Sequence, residues 1–359
     1  MRKKYELVKE ESMIVDEIYT VYRVKALRDF GDVHAGDVGG WVEYDGDISD
    51  GGAAWVYDNA KIYGGTIVCD DAKVGGNACI MDGLIYGNAE VYGNAYVETA
   101  HVYGNAAVYG DANVNGGEVY GNAQVYGCAE IQGEAKVYGN AEVYGLSLIS
   151  DNAQVYGSAK IHGDGERCVS VCDNAEVSEN AEVCDGASVY GNAKVTDNVK
   201  ISGRAQIYGQ AKVWGDAKVY GCAEVYGKAY VGGDAEVYDY ATVCDKAKVY
   251  DDAKVYGHAR IYDWSKVYGN ARVYDSAEIY GGANVYGNAQ VHGEAEVSDD
   301  AEIYDDAEIY DNASIHGCAE VYGSAEVNGC AEVYNGAKVY GNAYIGGDDE
   351  VCDFDEIYE

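Results

Sequence analysis

The segment Ala187-Ser188-Val189-Tyr190-Gly191-Asn192 is one copy of a six-residue unit that recurs through most of this 359-residue sequence. From Val171 to Ile357 every sixth residue is Val or Ile, and the residue two positions before it is nearly always Ala. A fixed period of six residues is typical of a parallel β-helix, in which three short strands make one coil. The period therefore predicts an all-β solenoid instead of a domain with a single globular core.

The repeat extends towards the N-terminus with small irregularities. It begins near Ala54-Trp55-Val56, and the aliphatic positions then come one residue early near Asp82, Thr99 and Gly116. The segment 163–168 instead adds four residues, which we interpret as a corner loop. All 51 aliphatic positions of the repeat are Val or Ile, so three strands per coil predict about 17 coils.

The composition of the unit suits a triangular coil. Successive side chains of a strand point to opposite faces, so the aliphatic residue and the Ala two before it share the inner face. Val and Ile pack well in stacked sheets, and Ala fits the narrow space near a corner. The Gly-Asn and Gly-Asp pairs supply the backbone conformations that corners need. The Tyr that follows each aliphatic residue, and the polar residue that precedes it, should then point outward.

Residues 1–50 do not repeat, and we expect them to form a small N-terminal β cap on a β-helix that spans residues 51–359. Alternation of apolar and polar residues predicts two strands that join near Asp16. A cap is needed because the first coil of a solenoid leaves an open core and unpaired backbone groups. We predict that Phe30 and Trp41 plug that open end.

The unit also matches the hexapeptide-repeat motif, an aliphatic residue followed four positions later by a small one. The sequence thus resembles the left-handed parallel β-helix family. That resemblance implies left-handed coils and, as in many members, an acyltransferase that uses acyl-CoA. The segment 29–42 resembles the start of bacterial YdcK-type hexapeptide proteins, which are acyltransferases by similarity. Similar Tyr-Gly-Asn-Ala arrays in prophage and gut-bacterial proteins imply a phage-related origin.

The histidines give little support to catalysis. Acyltransferases of the resembled family use a histidine beside protruding loops, whereas no histidine here lies beside a long insertion. The six histidines are His34, His101, His162, His258, His292 and His316. No spacing of His, Cys or carboxylates indicates a metal site, and no phosphate loop or nucleophile motif is present. We therefore predict no catalytic residue, no metal and no cofactor.

Outward tyrosines that lie three units apart fall on the same side of successive coils. Two columns of such tyrosines are candidate binding surfaces. The longer column is Tyr250, Tyr268, Tyr286, Tyr304, Tyr322, Tyr340 and Tyr358, and the shorter one is Tyr220, Tyr238, Tyr256 and Tyr274. Stacked aromatic residues stabilise a sheet, and a rigid tyrosine surface also suits contact with proteins. Lysine is concentrated in the middle coils and glutamate in later ones, which would orient a side-by-side assembly.

The net charge is −37, from 62 acidic and 25 basic residues. So acidic a chain is unsuited to direct binding of nucleic acid or of an anionic membrane. No apolar stretch is long enough to span a membrane and no leader is visible, so we expect a cytoplasmic protein.

We predict a non-enzymatic scaffold whose tyrosine faces engage a protein partner or form a homo-oligomer. Two alternatives remain open. One is a hexapeptide-repeat acyltransferase that uses acyl-CoA. The other is an acidic DNA mimic that inhibits a DNA-binding protein, as phages encode.

Overall fold

The structure is a computed structural model that describes residues 3–358, which form two compact units divided between Asn180 and Ala181. Every regular element in the described residues is a β-strand. In both units short parallel strands stack into a β-solenoid, which confirms the predicted all-β fold class and is consistent with a left-handed β-helix. The described residues contain no helix long and apolar enough to cross a membrane.

The first unit opens with three longer strands, β1 (Tyr5–Val15), β2 (Tyr19–Ala26) and β3 (Val38–Val42). β1 pairs antiparallel with β2, and β2 pairs antiparallel with β3. β3 in turn pairs in parallel with the solenoid strand Lys61–Tyr63. The antiparallel strands therefore satisfy backbone groups that the first coil would otherwise leave open.

Large side chains fill the core beneath these strands, but they are mostly not the predicted ones. Trp55 and Tyr5 are 2% and 1% exposed, and their rings meet edge-on at 6.4 Å. Phe30 is half-buried and packs edge-on against Trp55 at 5.4 Å. The prediction that Trp41 is a plug is wrong, because alternation along β3 points Val42 into the core and leaves Trp41 half-buried on the outer side.

The solenoid strands of the first unit lie on three faces. The first face holds Trp55–Val56, Lys73–Val74, Glu90–Val91, Ala107–Val108, Gln124–Tyr126, Glu142–Tyr144 and Lys160–His162. The second face holds Lys61–Tyr63, Cys79–Met81, Tyr96–Glu98, Ser147–Ile149 and Val169–Val171. The third face holds Ile67–Val68, Leu84–Ile85, His101–Val102, Gln154–Val155 and Glu176–Val177. Asn113–Val119 and Glu130–Val137 turn a corner and contribute to both the second and the third face.

Strand pairing in the first unit shows where coils depart from three full units of the repeat. Ile80 pairs with Val97, and Val97 pairs with Val114, in each case one residue closer than three units would place the partner. These short coils confirm the predicted single-residue deletions. Ile149 pairs with Val171, which lies four residues beyond the end of three units. This pairing confirms that the predicted insertion lies between these strands and leaves the stacking intact.

The second unit obeys one rule throughout, because each strand pairs in parallel with the strand three repeat units further on. Its first face holds Glu182–Cys184, Lys200–Ile201, Lys218–Val219, Glu236–Val237, Lys254–Val255, Arg272–Val273, Gln290–Val291, Glu308–Ile309, Glu326–Val327 and Tyr344–Ile345. Its second face holds Ser188–Val189, Gln206–Ile207, Glu224–Val225, Thr242–Val243, Arg260–Ile261, Glu278–Ile279, Glu296–Val297, Ser314–Ile315, Glu332–Val333 and Glu350–Val351. Its third face, which we call the tyrosine face, holds Lys194–Val195, Lys212–Val213, Tyr230–Val231, Lys248–Val249, Lys266–Val267, Asn284–Val285, Glu302–Ile303, Glu320–Val321, Lys338–Tyr340 and Glu356–Tyr358.

Aliphatic side chains and corner residues account for the regularity of the second unit. The inward Val and Ile residues are at most 6% exposed, except Ile357 at 37%. At the corners the backbone adopts the left-handed conformation, as at Gly323 (φ 71°) and Asp251 (φ 59°). This conformation is accessible at low cost to Gly, Asn and Asp. Asp251 also accepts a hydrogen bond from the Gly269 amide of the next coil, so the corners link neighbouring coils.

Candidate binding face

The longer predicted tyrosine column is a continuous ladder on the tyrosine face. Ring centres of successive residues from Tyr250 to Tyr358 lie 4.8–5.1 Å apart, and the rings are within 16° of parallel. The shorter column, Tyr220 to Tyr274, stacks on the first face of the second unit, with ring centres 4.8–4.9 Å apart. The spacing matches the distance between paired strands, so the backbone itself sets the stacking.

The phenol hydroxyls of the ladder are held as well as its rings. Tyr286 donates a hydrogen bond to Glu302 at 3.3 Å, and Tyr304 donates one to Glu320 at 3.2 Å, in each case on the next coil. Burial, and then the charge of the neighbouring carboxylate, raises the pKa of both phenols above the usual 10.0. Since each ring is covered by the next, the ladder presents ring edges and hydroxyls to solvent and hides most ring faces.

Apart from Tyr358 at the end of the longer column, which is 63% exposed, the accessible ring faces of this surface lie outside the predicted columns. Trp214, Tyr230 and Trp264 are 44%, 38% and 61% exposed. The Trp214 ring lies over Gly232, where an added Cβ would overlap it. Sequence reasoning missed these residues because none of them is a tyrosine at the tyrosine position of the unit: Trp214 replaces that tyrosine, Tyr230 precedes the aliphatic residue and Trp264 lies at a corner. Aligning the coils of the sequence would have found Trp214, because it falls in the same column as the longer ladder.

Five lysines surround these aromatic residues. They are Lys212, Lys228, Lys246, Lys248 and Lys266. Among the described residues, none of the five has a carboxylate oxygen within 4.0 Å. Instead, the Lys212 and Lys248 ammonium groups lie 5.6 and 5.7 Å from the Tyr230 ring centre, and that of Lys246 lies 4.7 Å from the Trp264 ring centre. A groove of about 500 Å³ runs along this corner beside Lys246 and Trp264.

We call these five lysines together with Trp214, Tyr230 and Trp264 the lysine–tryptophan patch. Lys200, Lys218, Lys254 and Lys338, also in the second unit, are instead paired with carboxylates. Lys218 and Lys254 both contact Glu236, at 3.3 and 3.5 Å. Unpaired ammonium groups beside exposed rings leave the patch free to bind anionic and aromatic groups through charge and cation–π contacts.

Most histidines are part of aromatic stacks. His292 lies between Tyr274 and Tyr310, at 4.6 and 5.3 Å, and its Nε2 atom is 3.0 Å from the Glu308 carboxylate. Three further stacked pairs are His162 with Tyr144, His258 with Tyr240 and His316 with Tyr334. At His162, His292 and His316 the imidazole stands where the repeat carries tyrosine, whereas His258 stands at a corner position that normally carries Asn.

The remaining two histidines, His34 and His101, are exposed. The side chain of His34 is 79% exposed, 3.8 Å from Asp37. His101 lies at a groove of about 440 Å³ in the first unit, which Glu118 and Glu134 also line. A histidine beside carboxylates in a groove has the chemical character of a general base.

No family model matches the chain. A segment of 65 residues, 18% of the chain, is 32% identical to the Escherichia coli K12 protein named uncharacterized acetyltransferase YdcK. That segment covers 20% of the relative, so the match spans about a fifth of its length. Together with the parallel solenoid, this similarity fits a hexapeptide-repeat family.

Proposed function

We propose that this protein is a non-enzymatic binding scaffold that presents the tyrosine face of its second unit to a protein partner or to another copy of itself. The observation that carries the proposal is the ordered ladder from Tyr250 to Tyr358 beside the lysine–tryptophan patch. Stacking and hydrogen bonds fix the ladder before any partner arrives. A preordered surface loses little side-chain entropy on binding, and tyrosine offers both apolar area and a polar hydroxyl.

Charge supports the same proposal. In a chain of net charge −37, five unpaired lysines within one patch are a local exception. Like charge over the rest of the surface would repel acidic partners from other faces and leave this one available. The alternative of a DNA mimic stays a prediction, and the patch interrupts the continuous negative stripe that such a mimic needs. A cytoplasmic location also stays a prediction, which fractionation of host cells would test.

A pair of matched variants tests the scaffold proposal. Lys212→Glu with Trp214→Ser alters the tyrosine face, whereas Lys254→Glu with Tyr240→Ser makes the same kind of chemical change elsewhere in the second unit; Tyr240 is 60% exposed. We expect a partner captured from host lysate, or a second copy, to be lost only from the first variant. Equal capture by both variants would show that the tyrosine face is not the binding surface.

A second candidate function is acetyl transfer, which the similarity to the E. coli protein favours. In this case we propose His101 as the general base, with its groove as the place for the acceptor. Incubation with acetyl-CoA and a panel of amine and hydroxyl acceptors would test it, by release of the free thiol of coenzyme A. Turnover that His101→Ala abolishes and His316→Ala preserves would replace the scaffold proposal, since His316 is stacked on Tyr334.

A further inference from the structure

The tyrosine face has a basic half and an acidic half. The outward residues that precede its aliphatic positions run, coil by coil, Lys212, Tyr230, Lys248, Lys266, Asn284, Glu302, Glu320, Lys338 and Glu356. Asn284 stands in the middle, with lysines on one side and glutamates predominant on the other. Each residue is paired in register with the next, so the column is a straight row perpendicular to the strands.

We propose that this face binds the same face of a second copy, with the two solenoid axes antiparallel and a twofold axis passing through Asn284 along the strand direction. This inference deepens the proposed function and rests on it, because it names another copy as the partner. Such an axis places Lys266 opposite Glu302, Lys248 opposite Glu320 and, at the far end, a third lysine opposite a third glutamate. That third pair is Lys212 with Glu356. Symmetry repeats each pair, so six lysine–glutamate contacts form across one isologous interface.

Charge also selects the register. Moving the axis by half a coil in either direction brings Lys338 opposite Lys212 or opposite Lys248. Moving it by one full coil places Lys266 or Glu302 opposite its own copy. Like charges directly opposed are unfavourable, so the axis at Asn284 is the position that pairs opposite charges without a clash of like charges.

The apolar groups at the two ends of the face meet in the same register. Trp214 lies opposite Tyr358, and these are 44% and 63% exposed in the single chain. The Trp214 ring also lies over Gly232, which has no side chain of its own, and so reaches the position opposite Tyr340. Along the rest of the face, one tyrosine ladder lies edge to edge against the other, so aromatic surface is buried at both ends and along the centre.

The face is large enough for a stable dimer. The nine coils from Lys212 to Glu356 span about 40 Å at the strand spacing of a β-sheet. With a width of about 15 Å to 20 Å for five extended residues, the buried surface reaches about 600 to 800 Å² per copy, the size of a standard interface. At physiological ionic strength, charges further apart than about 8 Å are largely screened, so the net negative charge opposes pairing less than the close pairs favour it.

Sedimentation velocity over a concentration series, with charge-reversal variants of the full chain, tests this inference. We expect a wild-type dimer, and we expect Lys266→Glu or Glu302→Lys to raise its dissociation constant about 100-fold, because each change opposes two like-charged pairs. The double variant Lys266→Glu with Glu302→Lys should return the constant to within about fivefold of wild type. Lys254→Glu, on the first face, makes the same change of charge and should leave the constant within about threefold.

A mismatched double variant tests the register itself. Lys266→Glu with Glu356→Lys carries the same net charge as the matched pair, yet its reversed residues do not face each other in the proposed dimer. It should be weaker than Lys266→Glu alone, because Glu356→Lys also brings like charge opposite Lys212. Equal rescue by matched and mismatched variants would overturn the antiparallel register, and a dimer that no reversal weakens would overturn the interface. Circular dichroism of each variant checks that the solenoid is intact.

Failure of this inference is distinguishable from failure of the proposed function. A chain that stays monomeric at every concentration overturns self-pairing. The scaffold proposal would then still hold if a heterologous partner is lost from the Lys212→Glu, Trp214→Ser variant. It would fall with self-pairing if that variant captures the same proteins as its matched control, or if the chain turns over acetyl-CoA.

Discussion

Tyr304 lies in the interior of the longer ladder, and its replacement by Ala tests whether stacking stabilises the solenoid. Its ring centre is 5.0 Å from that of Tyr286 and 4.8 Å from that of Tyr322, and its hydroxyl donates to Glu320. Each stacked pair contributes about 0.5–1.5 kcal/mol. The hydrogen bond adds about 0.5–1 kcal/mol, less than is usual for a charged acceptor because the group is partly exposed. We therefore expect Tyr304→Ala to lower the local free energy of unfolding by about 1.5–4 kcal/mol.

Two further variants separate the ring from the hydroxyl and the interior from the end. Tyr304→Phe keeps both stacked contacts and should cost about 0.5–1 kcal/mol. Tyr358 has one stacked neighbour, at 5.1 Å, and is 63% exposed. Tyr358→Ala should therefore cost about 1 kcal/mol.

Hydrogen exchange of backbone amides is the suitable assay. Global unfolding of a long repeat protein is not a two-state process, whereas exchange reports the opening of individual coils. The amides to compare are those of Glu302–Ile303 and of its paired strands, Asn284–Val285 and Glu320–Val321. Equal effects of Tyr304→Ala and Tyr358→Ala, or an effect of Tyr304→Ala below about 0.5 kcal/mol, would refute the argument that stacking stabilises the ladder.

Three other predictions concern the cap, the ladder and the corners. Burial lowers the pKa of Lys4 from 10.5 to about 8, so above pH 8 the unfolded chain binds more protons than the folded chain. Stability should therefore rise from pH 8 to 10 in thermal melts, and Lys4→Met should remove that rise. Burial raises the pKa of ladder phenols such as Tyr286, so above pH 10 the folded chain keeps protons that the unfolded chain loses. The free energy of unfolding should therefore decrease as the pH rises above 10, and phenolate absorbance should appear over the same pH range. Gly323→Ala adds a Cβ 2.9 Å from the Gly341 amide nitrogen at a φ of 71°, and should lower the local free energy of unfolding by about 1–3 kcal/mol, measured by hydrogen exchange of the neighbouring amides. Gly165→Ala in the inserted loop meets no atom within 4 Å and should cost less.

Part of the candidate face was predictable because it depends on the period alone. Once coils of three repeat units were recognised, residues such as Tyr286 and Tyr304 had to stack, and the structure places their ring centres 5.0 Å apart. The period does not tell whether a stacked ring remains accessible. That depends on the neighbours above and below it. Here they cover the predicted rings inside each column and leave Trp214, Trp264 and the terminal Tyr358 exposed.

The prediction for the cap was less accurate for a related reason. Residues 1–50 have no period, so the choice of Phe30 and Trp41 rested on size and hydrophobicity alone. The core beneath the cap holds Trp55 instead, which stands just before the aliphatic residue of the first solenoid strand, where the repeat normally carries an outward polar residue. Antiparallel strands beside that position cover it, and no local pattern in the sequence encodes that coverage.

The sequence by itself determined the coil. Val or Ile every sixth residue, Ala two before it and Gly or Asp at the corners specify stacked parallel strands, because each choice satisfies a local backbone or packing requirement that repeats unchanged. Only the tertiary structure decided which charges are neutralised. Lys218 and Lys248 occupy equivalent positions in the unit, yet Lys218 contacts Glu236 and Lys248 contacts no carboxylate among the described residues. The difference arises because the partner comes from the neighbouring coil, which carries Glu236 beside Lys218 but Lys266 beside Lys248. These residues become neighbours only once the chain has folded.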